Sequence, residues 1–377
     1  MKKSLIDVRS KLMQRSLVKH IENMVLSKRE IKAPYIVELD PTAACDLACP
    51  GCISEDVIAE GGRFSNERLI ELANEIVEAG VRGVILIGGG EPLAHPKIGQ
   101  LITTLGTNNV ALGITTNGTF IHRYLDEIAE YASWTRVSFD AASEETFCKL
   151  RPSKAGKSKY QTILDNMRAL AKVKRGYLGF SFLIQTKADG PQVTSNVSEI
   201  FNAALLARDL GCDYFEVKPT YQWRDNVPHA LMEHESDQMD LAKAEIEKVR
   251  SLASDTFSIY EAINLQASLD GVQSVQEKNY SRCPIAELRT LITPKGGYIC
   301  PYWRGKSEMR IGDFNTESFD SVWRGLQRSI VMDRVNPSDH CNFHCLRHGS
   351  NQQILEMKNL LKSGQPVQIV DDYDPFI

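Results

Sequence analysis

The stretch Tyr35-Ile-Val-Glu-Leu-Asp40-Pro-Thr-Ala-Ala-Cys45-Asp-Leu-Ala-Cys49-Pro-Gly-Cys52 decides the fold. Its first part, Tyr35 to Asp40, is apolar and β-branched like a buried strand, and it breaks at Pro41 just before three cysteines crowd together. In parallel α/β architectures ligands collect at the carboxyl ends of the strands, so thiols placed there are set for chemistry. Three thiolates from one loop are one fewer than a four-iron cluster usually takes, which leaves one iron open to a reacting molecule. A structural zinc site completed by a remote fourth ligand is the competing reading, because zinc takes the same thiolates.

Outward from this loop the chain alternates. Ser65 to Gly80 has a serine N-cap, apolar residues at helical spacing (Leu69, Ile70, Leu72, Ala73, Ile76, Val77) and a glycine stop. Strands are expected at Val84–Ile87, Val110–Ile114, Thr135–Phe139, Gly179–Ile184 and Tyr214–Val217, with helices near 121–131, 143–150, 159–173 and 197–210 between them. Asn196 with Glu199 reads as a capping box for the last of these. Six strands separated by helices imply a parallel sheet with right-handed crossovers, doubly wound or curled into a partial (β/α)6 barrel of the TIM type. The expected organisation is an N-terminal helical segment (1–34), the barrel (35–225), a helical connection (226–282) and a smaller α+β domain (283–377). In the connection, Met232, Met239, Leu241, Ile246 and Val249 form the expected apolar stripe.

A net charge of −4 argues against a chain whose business is to neutralise nucleic-acid phosphates. Charged residues interrupt the N-terminus after Met1-Lys2-Lys3, and no apolar run reaches the roughly 18 residues of a membrane span. A cytoplasmic protein without membrane or nucleic-acid partners is expected. Cytoplasmic thiols stay reduced, so nine cysteines read as metal ligands or reactive groups rather than disulfides.

Four of them, Cys283, Cys300, Cys341 and Cys345, enclose a hairpin around Pro294-Lys-Gly-Gly297 and a helix expected over Ser318–Val335 with Phe319, Val322, Trp323 and Leu326 inward. Four thiols suffice for a closed site, of iron and sulfur or of zinc. His340, His344 and His348 flank the last two and are expected to support rather than ligate. Cys148 and Cys212 are expected to be buried and inert.

After the second strand comes Gly88-Gly89-Gly90-Glu91-Pro92, a turn whose glycines admit close backbone approach to a ligand. Cys45, Cys49 and Cys52 followed by this turn resemble the radical S-adenosylmethionine (SAM) superfamily. The resemblance implies that the three thiolates hold a [4Fe-4S] cluster, that SAM chelates its open iron, and that one-electron reduction yields a 5′-deoxyadenosyl radical that abstracts hydrogen. It implies SAM contacts from Gly89, Gly90, Glu91 and Pro92, and from Thr116, Asn117, Ser138, Asp140 and Gln185 at the ends of the next strands. The C-terminal cysteines, with Gly312-Asp313-Phe314, resemble the twitch or SPASM extensions of that superfamily, which carry auxiliary clusters, and their number implies one auxiliary [4Fe-4S] cluster here.

A closed cluster has no iron for SAM, so it suits electron transfer and net oxidation. The expected substrate is a small polar molecule, a sugar or aminocyclitol, with Lys218, Arg224 and Tyr302 as catalytic candidates and Tyr221 and Arg304 as further contacts. By family analogy the reductant is a flavodoxin or ferredoxin. Peptide maturation ranks second, since only about 34 residues precede the first strand, fewer than a leader-binding domain needs. Epimerisation, and a non-enzymatic iron–sulfur or zinc binding module, complete the alternatives.

Overall fold

The computed structural model describes residues 8–26, 33–186, 195–224, 227–231, 236–271 and 276–376. All six expected strands form: β1 (Ile36–Leu39), β2 (Gly83–Leu86), β3 (Ala111–Thr116), β4 (Ala132–Ser138), β5 (Tyr177–Leu183) and β6 (Tyr214–Lys218). They pair in chain order and in parallel, each crossing over through helix. The first crossover helix, Asn66–Ala79, has the anticipated ends: Ser65 accepts from Arg68 N, and Gly80 closes it in the left-handed region at φ 81°. Its buried Leu69, Leu72, Ala73 and Ile76 lie in the same apolar core as Val84 and Leu86 of β2 and Val37 of β1.

The alternate residues of the strands face inward, and inward groups of non-neighbouring strands meet. Arg136 on β4 pairs with Glu216 on β6 at 3.1 Å, and the ring of Phe376 packs against Trp134 on β4 while standing close to Gly83 on β2. The sheet is therefore curled. Its floor is filled by the chain termini: Gln14 takes the backbone of Tyr373 and Asp374, and Lys11 forms a buried ion pair with Asp374 at 2.6 Å.

The segment expected to be purely helical contains more. Helix Ser236–Arg250 forms, with Ile246 and Val249 buried, but Leu241 is exposed, and Met232 lies outside the described residues. Before it stands a two-strand antiparallel hairpin, β7 (Tyr221–Arg224) with β8 (Val227–Leu231), and after it β9 (Ser258–Glu261) extends the sheet in parallel beside β6. These strands carry polar residues such as Gln222, Arg224, His229, Ser258 and Glu261, so they lack the apolar run that marks β1 and β2 in the sequence.

The C-terminal part is continuous with the barrel. β10 (Arg289–Thr293) pairs in parallel with β1, Ile36 opposite Arg289, and β11 (Gly296–Tyr298) and β12 (Arg310–Gly312) follow antiparallel, so one ten-stranded sheet spans both sides of residue 283. The expected helix over 318–335 is two helices, Phe319–Trp323 and Leu326–Arg334, parted at Gly325. That break turns Leu326 outward, 76% exposed, while Phe319, Val322 and Trp323 are buried as expected. Among the described residues no helix is long and apolar enough to cross a membrane.

Candidate active site

Beyond β1 the cysteine loop is pinned on two flanks. Ala43 N donates to Gly62 O at 2.8 Å on one side; on the other Ala48 N donates to Pro152 O at 2.8 Å and Lys154 N to Asp46 O at 2.9 Å. Backbone pairing thus holds Cys45, Cys49 and Cys52 partly exposed at the strand ends. The glycine turn after β2 packs onto this loop, with Glu91 N donating to Ala44 O at 2.8 Å. A Cβ on Gly90 would stand 2.4 Å from Ala44 O, so only glycine allows the contact. Beside Gly89 the carboxyl of the buried Asp40 is pushed up to about 6 by burial even though Arg304 pairs with it at 2.9 Å.

Glu91 turns inward. Its carboxylate accepts from Thr116 Oγ1 at 2.6 Å, Asn117 N at 2.7 Å and Leu93 N at 3.0 Å. Burial raises this carboxyl to about 7, against the pull of those three bonds. Glu91 and Thr116 therefore clamp the end of β2 to the end of β3, and Pro92 is buried in the turn they stabilise. Asn117 reaches the other way, donating from Nδ2 to Asp46 Oδ1 at 2.9 Å and lying 3.8 Å from Cys45 Sγ.

Past β4, Asp140 adopts φ 60°, and its carboxylate is engaged by Leu183 N at 2.8 Å and Arg151 Nε at 2.9 Å. Asp140 thus holds Arg151, which the sequence reading did not single out, where its charge acts on Cys49 and Cys52. Only the position of Arg151 just ahead of the Pro152–Lys154 segment that pins the cysteine loop could have signalled it. Ser138 and Gln185 have side chains that bond nothing among the described residues, so their polar groups remain available at the strand ends. Gln185 N is held by Asn196 Oδ1 at 2.8 Å, and Asn196 Nδ2 donates to Asp140 O at 2.9 Å. The expected capping box is therefore absent. Asn196 braces the β4 and β5 ends, and Glu199 accepts from Ala142 N at 2.6 Å and Ser143 Oγ at 2.6 Å, at the start of the neighbouring helix Glu144–Leu150.

Deeper in the barrel Lys218 stands 3.5 Å from Glu216, its ammonium pulled below the usual lysine value by burial and partly restored by that carboxylate. Arg224 ends β7, where the structure describes the backbone alone. Tyr302 lies beside the second cysteine group: its hydroxyl accepts from Leu346 N at 3.3 Å, its ring meets Phe343 edge-on at 5.1 Å, and burial, then Cys345, raise its hydroxyl well above the ordinary value.

The structure gathers Cys283, Cys300, Cys341 and Cys345. Burial first, and then the thiols beside them, raise Cys283 to about 11 and Cys341 to about 12. Thiols raised this far stay neutral until a metal displaces their protons, and four of them brought together are the donor set of a metal site. A donor to sulfur is already in place. Asn351, 1% exposed, points Nδ2 at Cys283 Sγ at 3.6 Å. The neighbouring histidines have other partners: His340 bonds Asn336, His348 bonds the Tyr280 hydroxyl, and the His344 ring lies 5.6 Å from that of Tyr221. Cys212 is buried as expected, but Cys148 is exposed. Among the described residues no three His, Cys, Asp or Glu side chains close around a single metal ion. What the two groups supply is the donor type a four-iron cluster takes, three thiols at the first and four at the second.

A sequence profile of the radical SAM superfamily matches residues 39–186, the span from the end of β1 through the end of β5. Mycofactocin maturase MftC of Mycobacterium tuberculosis is 23% identical over 309 residues, 79% of this chain and 72% of that protein. GTP 3',8-cyclase of Chlorobaculum tepidum is 31% identical over 134 residues, 34% of this chain and 40% of that protein. In structure, Streptococcus suis SuiB bound to S-adenosylmethionine aligns with a TM-score of 0.59 at 15% identity, covering 95% of this chain and 80% of that one. Native anSMEcpe with bound AdoMet aligns at 0.56 and 12% identity, covering 88% and 100%. These likenesses share the mixed α/β fold with its curled parallel sheet. Three thiols on one strand-end loop, packed against a glycine turn that only glycine can form, lie inside the matched span: residues 39–186 carry a radical SAM domain, and that family's cofactors are a [4Fe-4S] cluster and SAM.

Proposed function

We propose that this radical SAM enzyme oxidises a peptide. The observation that carries the reading is the pairing of two cysteine groups in one sheet, a three-thiol loop at the end of β1 and a closed four-thiol group beside β10 and β11, linked by the Arg304–Asp40 ion pair. Bound there, the first cluster with SAM supplies hydrogen abstraction driven by one-electron reduction, and one auxiliary cluster supplies one-electron capacity.

The chain's own groups do the rest. Gly89 and Gly90 bring backbone to the rim, Ser138 and Gln185 offer free polar groups, and Asn117 and Arg151 orient and neutralise the thiol loop. Lys218, paired with Glu216, and Arg304, paired with Asp40, line the way inward as polar anchors. The expected sugar or aminocyclitol gives way to a peptide, because the relative that matches most of the chain is a maturase and SuiB has been solved bound to the precursor peptide SuiA. The hairpin β7–β8 supports this: it pairs with no other strand among the described residues, so an extended peptide can add to its edge. The reductant in this reading is a flavodoxin or ferredoxin.

The test is incubation of anaerobically reconstituted protein with SAM and dithionite, against peptides encoded beside its gene and against sugars and aminocyclitols. The expected result is 5′-deoxyadenosine together with a peptide lighter by two hydrogens. Product from the sugars or aminocyclitols alone would return the substrate to a small polyol; SAM left intact under every condition would reduce the protein to a binding module.

A further inference from the structure

Lys278 lies between β9 and Cys283, in the stretch for which the sequence offers no role, and is 6% exposed. Its ammonium donates to Gln276 O at 3.1 Å and to Phe343 O, and it stands 5.5 Å from the centre of the Phe343 ring. No Asp or Glu pairs with it among the described residues. Burial lowers its ammonium below the usual lysine value, and the negative groups that oppose this are Cys345 and Cys341, whose thiolates it favours in return. A buried ammonium without a carboxylate is costly unless another negative group faces it. Phe343, whose carbonyl it holds, sits between the two cysteines, so the lysine is built into the loop that presents them.

The charge around this group differs from that around the first. Arg347 acts on Cys345 in the same sense as Lys278, while the charge of Arg289 near Cys300 is offset by its ion pair with Glu38. At the first loop Cys45 has Glu91 and Asp46 as neighbours, and Arg151 beside Cys49 is offset by Asp140. Adding one electron to a thiolate-held cluster adds one negative charge and breaks no bond. A fixed cation in contact therefore stabilises the reduced state more than the oxidised one.

We propose that Lys278 is a positioning residue that raises the reduction potential of an iron–sulfur cluster held by Cys283, Cys300, Cys341 and Cys345, making the second site the electron-accepting one. This rests on the reading that the second group holds such a cluster. The experiment is a redox titration followed by electron paramagnetic resonance, on full-length protein carrying Cys45→Ala, Cys49→Ala and Cys52→Ala so that the second site alone is observed.

Lys278→Met is expected to weaken reduction at least tenfold, about 59 mV for a one-electron couple, and Lys278→Arg to restore most of that shift. Should the Met variant lose iron, Lys278→Gln, which keeps a donor for the two carbonyls, gives the reading. Full iron with an unmoved potential, or an Arg variant shifted as far as Met, overturns the role of Lys278. Absence of iron and sulfide from the second site when Lys278 is intact overturns the cluster reading instead, so the two failures are distinguishable.

Discussion

Cys45, Cys49 and Cys52 come from one short loop that backbone pairing holds at the strand ends, whereas Cys283, Cys300, Cys341 and Cys345 come from separate turns that meet only when β10 joins β1 and the last long helix, His348–Lys362, packs beneath them. Both groups are partly exposed; the first has three thiols with Glu91 and Asp46 acting on Cys45, the second four with Lys278 and Arg347 acting on Cys345. A local loop can leave a coordination position open to a ligand. A group of four thiols can fill every coordination position itself, the property on which the proposed electron-transfer role rests.

The largest expected effect breaks the comparison at the first loop. Replacing Cys45, Cys49 and Cys52 together by Ala is expected to abolish 5′-deoxyadenosine formation while leaving about four irons per chain at the second site. Iron, sulfide and nucleoside assays on one sample check this, and loss of all iron would show that the two groups share one folding unit.

A smaller effect sharpens it at the second group. Asn351 bonds Cys283 Sγ, Ile285 N and the Tyr280 hydroxyl at once, so Asn351→Leu is expected to speed iron loss to a chelator from the second site by about 10- to 100-fold, with the first site unchanged. Equal loss from both sites would mean that Asn351 supports the fold rather than the sulfur.

The smallest concerns the clamp behind the first loop. Glu91 has its carboxyl raised to about 7 from 4.5, so the native state binds the proton more tightly than the unfolded chain. The stability this contributes is complete below about pH 4.5 and is lost as pH rises toward 7. Melting temperatures of the cluster-free protein are expected to carry this downward slope, and Glu91→Gln to remove it at a cost of about 1–3 kcal/mol from the mismatched donors. An unchanged slope would show that Glu91 does not titrate there.

Much of this was legible in the sequence because it is local. The strand before Cys45, the capped helix from Ser65 to Gly80 and the glycine turn each declare themselves through periodicity, a cap or a conformational demand within a few residues. Two of the failures were of one kind. Asn196 and Glu199 look like a capping box, yet each side chain finds better partners on a neighbouring loop. Leu326 fits the apolar stripe of one long helix, yet the break at Gly325 rotates it to solvent. In both cases a tertiary contact or chain break overrode a local pattern.

By itself the sequence determined the alternation of strands and helices, the thiol loop and its glycine partner, since strand burial, helix caps and positive-φ turns depend on neighbours along the chain. Only the tertiary structure decided that the C-terminal strands extend the same sheet, that Glu91 faces the interior while Asn117 faces sulfur, and that Lys278 and Asn351 converge on the second cysteine group. Those outcomes depend on which distant segments share burial, and burial is settled by the packing of the whole chain rather than by any one stretch of it.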